Sequence, residues 1–314
     1  MPSMPEGLPI DHFKPLHGTM APYAEQVLIC TGKDDWLSRI EDENSGDNLA
    51  ADIKELMGRG GVYSDPYHNV SVINSSFPSS SVSSRPEVQN SSAYLLPSFK
   101  YIPFLPRVSF DSVQALVKGH LLPTKLHPRH DDLSPIHKDR LLRSDDQGRL
   151  LYGVRDVKDV LVLICGHRGR DMRCGVLGPV LREEFEAQLE KLDLKVLKGP
   201  VNIESEDKER LLLGKNDGGF KGSARVGLIS HIGGHKFAGN VILYIPPGAK
   251  TADGKPNELA GCGVWYGRVE PKHVEGIVKE TVLGGKVIED LFRGGIRQGG
   301  EILRLEIGHD LSSR

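Results

Sequence analysis

Val160-Leu161-Val162-Leu163-Ile164-Cys165 is the longest clearly apolar strand-like run in the chain. Unbroken apolar character over so few residues, with β-branched side chains at alternate positions, reads as a strand buried on both faces. Its last four residues repeat an earlier run, Val27-Leu28-Ile29-Cys30. A helical pattern follows each run at the same offset, Asn48–Met57 in the first half and Glu183–Leu192 in the second. Further on, Val113-Gln114-Ala115-Leu116-Val117-Lys118 matches Val274-Glu275-Gly276-Ile277-Val278-Lys279. Apolar strands resemble one another, so one tetrapeptide proves little. Three matches in the same order point to an internal duplication.

Each copy reads as strand, long loop, helix, strand, further strands and a closing helix. In the second copy the strands are expected near 160–165, 195–203, 225–230, 240–245 and 262–269, and the helices near 176–192 and 271–282. Short β-rich runs alternating with helices give an α/β layer on a mixed sheet. The expectation is two tandem thioredoxin-like copies, the second carrying a metal site. The divisions are an N-terminal tail over 1–22, a degenerate copy over 23–123, a linker over 124–150, the site-bearing copy over 151–296 and a tail over 297–314. Pro123–Gly148, rich in Pro, His, Asp and Arg, is the basis of the linker. Asn74–Ser92, dense in serine, reads as a mobile surface loop. Pro246–Gly263 reads as a hairpin loop inserted in the second copy, and Glu301–Ile307 as an edge strand.

The 314 residues give either half enough chain for its own core. A net charge of −2 with 26% charged residues shows no bias toward nucleic acid and no polybasic membrane arm. No apolar run approaches the length of a membrane span. The four cysteines, Cys30, Cys165, Cys174 and Cys262, are too few for a disulfide scaffold of this size and point to a reducing compartment. The glycosylation sequons at Asn74 and Asn90 read as chance matches in serine-rich sequence.

The chemistry gathers in the second copy. Cys165 closes the buried strand and Cys174 opens a helix carrying Val176, Leu177, Val180 and Leu181. A helix N-terminus favours a thiolate, as do cations in the intervening loop, here His167, Arg168, Arg170 and Arg173. His231-Ile232-Gly233-Gly234-His235 follows the strand Val226–Ile229, and its paired glycines speak against a regular helix there. With no Glu between its histidines it is not a metalloprotease signature. The first copy retains Cys30 but has Arg39 where Cys174 should be, and no histidine around Leu95–Lys100. A need shared by both copies would keep all four residues in each, whereas a single grafted site would not.

Two thiols and two imidazoles suit zinc, but the eight-residue gap between the cysteines is wide for common zinc pairs. A [2Fe–2S] core is larger and tolerates a longer loop. Two ferric ions, two sulfides and two thiolates sum to zero charge, whereas four thiolates would leave the core doubly negative. Histidine ligation therefore raises the potential, to roughly −150 to +300 mV. Histidine can also release its outer proton, so electron uptake can be coupled to proton uptake. Two other readings stand beside this one: a structural zinc domain in an interaction protein, and a dithiol oxidoreductase using Cys165 and Cys174.

Cys165-x8-Cys174, His231-Ile-Gly-Gly-His235 and Gly263-Val-Trp265-Tyr266-Gly267-Arg-Val269 together resemble the sucrase/ferredoxin-like family, thioredoxin-like [2Fe–2S] ferredoxins with bis-histidine ligation. Val27-Leu-Ile-Cys30-Thr-Gly-Lys-Asp-Asp-Trp36, with Ser38-Arg-Ile-Glu-Asp, resembles the fungal branch named for altered inheritance of mitochondria. The resemblance implies cluster ligands at Cys165, Cys174, His231 and His235. The resemblance does not supply a reaction; the four residues themselves read as one-electron transfer, proton-coupled or linked to thiol redox balance, by a carrier rather than an enzyme with its own substrate. The resemblance also implies a mitochondrial location. Residues 1–22 contain Glu6, Asp11 and Lys14 and no Arg, unlike an import presequence, so the alternatives are a cytosolic protein or a start internal to a longer gene product. The expected partner is an acidic redox protein docking at Arg168, Arg170 and Arg173. Cys262, Trp265 and Tyr266 read as core. His127, His130 and His137, with Asp131 and Asp132, read as solvated linker, and Gly214-Lys215 lacks the spacing of a phosphate loop.

Overall fold

The computed structural model describes residues 2–43, 48–80, 89–203 and 222–305. In the first half, β1 (Glu25–Cys30) is buried along its whole length, as its apolar run requires. The connection to β2 (Val70–Ser75) carries α1 (Leu49–Met57). The Asn48 side chain caps α1 by accepting the Ala51 N–H, and Leu49, Ala50, Ile53 and Leu56 form its buried face. β2 runs parallel to β1, while β3 (Asn90–Leu96) runs antiparallel to it and β4 (Lys100–Pro106) antiparallel to β3. Then come α2 (Asp111–Leu116), which continues as a π-helical turn over Val117–Leu121, and the short α3 (Pro135–Leu141), α4 (Asp145–Gly148) and β5 (Arg155–Asp156).

The second half shows the same pairing senses. β6 (Val160–Cys165) leads through α5 (Met172–Lys191) and the two-residue β7 (Lys195–Val196) to β8 (Ser223–Ile229), parallel to β6. β9 (Val241–Ile245) pairs antiparallel with β6, and β10 (Cys262–Tyr266) antiparallel with β9. α6 (Pro271–Ile277) follows β10 and again runs into a π-helical turn, Val278–Leu283. β11 (Phe292–Arg297) and β12 (Ile302–Leu303) extend the edge. The mixed sheet runs β12-β11-β10-β9-β6-β8-β2-β1-β3-β4-β5, with β7 beside β8.

The halves meet where corresponding residues meet. Cys30 pairs with Ser75 as Cys165 pairs with Ile229, and Ser75 lies opposite Ile229 across the β2–β8 junction. The hydrogen bonds there come in matched couples. Ser76 N donates to Leu228 O and Ser230 N to Asn74 O, both at 2.9 Å. Asn74 N donates to Ser230 Oγ at 2.9 Å and Leu228 N to Ser76 Oγ at 3.0 Å.

Strand alternation divides the core. Val27 and Ile29 face one helix layer, and Val160, Val162 and Ile164 the other. Leu28, Cys30, Leu161, Leu163 and Cys165 turn to the opposite face, where both halves contribute to one shared apolar cluster.

Several expectations need correcting. The serine-dense stretch is not a loop at its ends. Asn74 and Ser75 belong to β2 and Asn90–Ser92 to β3, because serine hydroxyls satisfy backbone groups there: Ser75 Oγ donates to Ile29 O and Ser92 Oγ to Pro103 O. Residues 81–88 lie outside the described part. The stretch taken as linker carries α3 and α4, and is tied down by His127 stacked on Tyr67 and His130 paired with Asp65 at 2.9 Å. The strand expected over 195–203 shrinks to β7. Residues 2–22, the expected N-terminal tail, pack onto the fold: Leu16 and Met20 are buried, and Asp11 N donates to Lys236 O. Pro246–Gly263 does join two antiparallel strands, as expected. Gly214-Lys215 and the end of the tail beyond residue 305 fall outside the described residues. No helix of the described residues is long and apolar enough to cross a membrane.

Candidate metal centre

The end of β6, the start of α5 and the loop after β8 converge. Cys165 and Cys174 are 2% and 1% exposed and free of disulfides. Asp171 caps α5 by accepting the Arg173 N–H, which fixes the helix start at Met172, two residues before Cys174. Gly178 brings α5 against the strand end, since a Cβ there would lie 2.8 Å from Gly166 Cα and 3.0 Å from Cys165 O. The neighbouring Cys174 thiol holds the Cys165 pKa well below the usual thiol value, with a smaller contribution from His231, while Cys165 and burial push that of Cys174 up.

Gly233 and Gly234 adopt positive φ of 80° and 74°, as the turn between the histidines demands. This sets the His231 and His235 rings 5.4 Å apart between centroids. His231 is half-buried and His235 exposed. His231 Nδ1 is buried with no hydrogen-bond partner, a cost that a bond to a metal would remove. The structure thus sets Cys165 and Cys174 at the end of β6 and the start of α5, and His231 and His235 in the adjoining loop after β8. Among the described residues, no three His, Cys, Asp or Glu side chains converge as a single ion requires.

Three supporting residues were not legible as such. His167 is 1% exposed. Its Nδ1 accepts the His231 N–H at 3.0 Å, so its Nε2 carries the proton and donates to Trp36 O and Leu37 O at 3.0 and 2.9 Å. It is thus a buried link between the halves rather than a free loop cation. Asn240, wholly buried, accepts the Cys165 N–H on its backbone carbonyl at 3.0 Å and donates from Nδ2 to Gly234 O at 2.9 Å. Arg293 donates to Asn240 Oδ1 at 2.6 Å and to Gly233 O at 3.2 Å. A lone Arg or Asn in a strand-rich stretch carries no signal of this kind, although His167 stood inside the ligand loop.

Of the loop arginines, Arg168 and Arg170 are exposed, and Arg170 donates to Ser38 Oγ at 3.1 Å. Arg173 instead forms a two-pronged pair with Asp171, both bonds at 2.8 Å. A crevice of about 330 Å³ lined by Ser38, Arg39, His167, Arg170 and His231 opens beside the centre. Phe77, two residues past Ser75, is the topological counterpart of His231, two past Ile229. The first half's equivalent of the histidine loop thus follows β2 and not β3, and the expected comparison at Leu95–Lys100 was misplaced. Cys30 lacks all this company, and burial pushes its thiol up to about 12. Cys262 is a wholly buried strand residue, and Trp265 and Tyr266 are core, as expected.

The altered inheritance of mitochondria protein 32 of Debaryomyces hansenii is 28% identical over 297 residues, covering 93% of this chain and 89% of that protein. Its namesake in Clavispora lusitaniae is 40% identical over 139 residues, 43% of this chain and 34% of its own length. The Saccharomyces cerevisiae (strain YJM789) namesake is 34% identical over 134 residues, 43% of this chain and 32% of its own length. Among solved structures, the thioredoxin-like [2Fe–2S] ferredoxin of Aquifex aeolicus covers 43% of this chain and 97% of its own, at 16% identity and a TM-score of 0.24. The sucrase/ferredoxin-like family profile matches residues 16–294, from the buried Leu16 through both halves to β11, and the chain belongs to that family.

Proposed function

We propose that this protein is a one-electron carrier built from two tandem thioredoxin-like copies, the second holding a [2Fe–2S] core through Cys165, Cys174, His231 and His235. The observation that supports the reading is a buried, disulfide-free thiol pair at the end of β6 beside a loop after β8 that carries the glycine-turned histidine pair, whose His231 Nδ1 has no hydrogen-bond partner. When bound, such a core supplies reversible uptake of one electron, at a potential raised by the histidines. The chain supplies the rest. The burial of Cys165 and Cys174 excludes water, the Asp171 cap and Gly178 seat the helix start, and His167 and Asn240 orient the two donor loops. His235, exposed at the rim, is placed to exchange a proton with solvent as charge changes. Arg168 and Arg170, with Arg173 braced behind them by Asp171, offer a basic rim to an acidic redox protein. The relatives' names support association with mitochondria.

Anaerobic purification tests the centre. The protein should be brown-red, carry two irons and two sulfides per chain, and give a paramagnetic signal on reduction with dithionite. A colourless protein with stoichiometric zinc would overturn the reading. Reversing the charge of Arg168 and Arg170 should slow electron exchange with an acidic partner several-fold and flatten its salt dependence; unchanged kinetics would remove that docking surface.

The two neighbouring buried thiols, with the Cys165 pKa held well below the usual value, favour one second reading, a dithiol oxidoreductase using Cys165 and Cys174. It requires that a His231→Ala/His235→Ala variant keep its thiol redox activity, whereas loss of colour or a shifted spectrum in that variant supports the cluster.

A further inference from the structure

Arg293, on β11, is 1% exposed. All its hydrogen bonds go to neutral oxygens. Nε donates to Thr19 Oγ1 at 3.0 Å and Nη2 to Thr19 O at 2.9 Å. Nη1 donates to Asn240 Oδ1 at 2.6 Å and Gly233 O at 3.2 Å. Its Cζ lies 5.7 Å over the Trp265 ring. Among the described residues no carboxylate pairs with it. A cation buried without an opposite charge is among the most costly groups a fold can hold.

The geometry around it is that of the candidate centre. Nη2 lies 2.6 Å from where a Cβ on Gly234 would stand, so the guanidinium fills the space under the turn between the histidines. Asn240 joins the same fork to the Cys165 backbone. Burial brings the Arg293 pKa down to about 10, and the charges that act to hold it up are those of Cys165 and Cys174.

We propose that Arg293 is the built-in counter-charge of the centre, a positioning residue whose cation offsets the two thiolates while its fork sets the Gly233-Gly234 turn. This deepens the electron-carrier reading and rests on it. It follows that Arg293 favours the more negative, reduced state.

The test compares wild type, Arg293→Lys and Arg293→Gln as purified anaerobically, each titrated with dithionite at controlled potential and followed by visible absorbance. At one fixed ambient potential, Arg293→Gln should lower the ratio of reduced to oxidised centre at least tenfold, a 59 mV fall for one electron. Arg293→Lys keeps the charge and loses the fork, and should stay within threefold of wild type. Thermal melts of chelator-stripped protein should show Arg293→Lys and Arg293→Gln both melting below wild type, since both lose the fork's hydrogen bonds, so the difference in ratio between the two variants reads the charge. A coloured wild type whose Gln variant titrates at the wild-type ratio, or whose Lys variant shifts as far as the Gln variant, overturns the counter-charge alone. An iron-free wild type overturns the centre and the counter-charge together. If Arg293→Gln does not fold, the Lys variant decides: a tenfold shift with the charge retained refutes the proposal, and a ratio within threefold supports it.

Discussion

Cys30 and Cys165 end homologous-looking strands, and their environments set them apart. Cys30 is a small buried apolar residue whose thiol is held protonated. Cys165 has Cys174 and His231 beside it and leans toward the thiolate. Residue types made half of that contrast legible, because Arg39 provides no donor to match Cys174; that Phe77 is the counterpart of His231 follows only from the strand registers. Glu25 was not legible, since a glutamate opening an apolar strand reads as surface. It is 5% exposed and accepts hydrogen bonds at Oε1 from Ser98 N at 3.2 Å and Ser98 Oγ at 3.0 Å. Burial raises its pKa from 4.5 to about 7. Between those values the folded protein binds a proton that the unfolded chain releases. Stability must therefore fall as pH rises through that window and level off above it, by about 3 kcal/mol at most. Glu25→Gln keeps the acceptor without the charge. Urea midpoints at pH 5 and pH 8 should differ less in the variant, which should be more stable than wild type by about 1–3 kcal/mol at pH 8. An unchanged pH slope would show that another group sets it.

At the scale of elements, the apolar runs of β1 and β6 and the helices after them were legible from periodicity. β2 was not, because Val70-Ser-Val-Ile-Asn-Ser75 is half polar and only its last three residues are buried. That strand determines which loop corresponds to the histidine turn, so its loss misdirected the comparison between halves. α5 was legible as a helix, but its docking depends on glycines that periodicity ignores. At Gly178 the neighbours of an added Cβ are backbone atoms of Gly166 and Cys165, which cannot yield as a flexible side chain would. Gly178→Ala must push the start of α5 away from β6, carrying Cys174 from Cys165, at a cost of about 1–3 kcal/mol. Gly276, in α6, has nothing within 4 Å of its Cβ position. Gly276→Ala should be neutral or stabilising by up to about 1 kcal/mol. Denaturation midpoints and iron bound per chain check the pair: both quantities should drop for Gly178→Ala and neither for Gly276→Ala.

For the molecule as a whole, the duplicated pattern suggested two copies joined by a linker, each with its own core. What the pattern could not show is that the faces left free by the two helix layers are buried against each other. Leu28, Cys30 and Phe99 share one cluster with Leu163, Cys165, Tyr244 and Trp265. Trp36, from the first half, packs into the helix-side core of the second. The polar ties agree: Tyr23 and Tyr244 hydroxyls meet at 2.5 Å, and Tyr244 donates to Gln26 Oε1 at 3.0 Å. Gly169 N donates to Asp35 at 3.1 Å, and Arg182 pairs with Asp34 at 2.8 Å. Neither half can open without exposing the other's apolar surface and stripping partners from buried hydroxyls, each of which is destabilising. The molecule should therefore unfold as one cooperative unit despite its length. Native-state hydrogen exchange should give the amides of β1 and β6 opening free energies equal within about 1 kcal/mol, with the same dependence on denaturant. Exchange of β1 through a separate opening of lower free energy and smaller denaturant dependence, while β6 stays protected, would show that the first half is an independent domain and that the shared core is not what couples it to the centre.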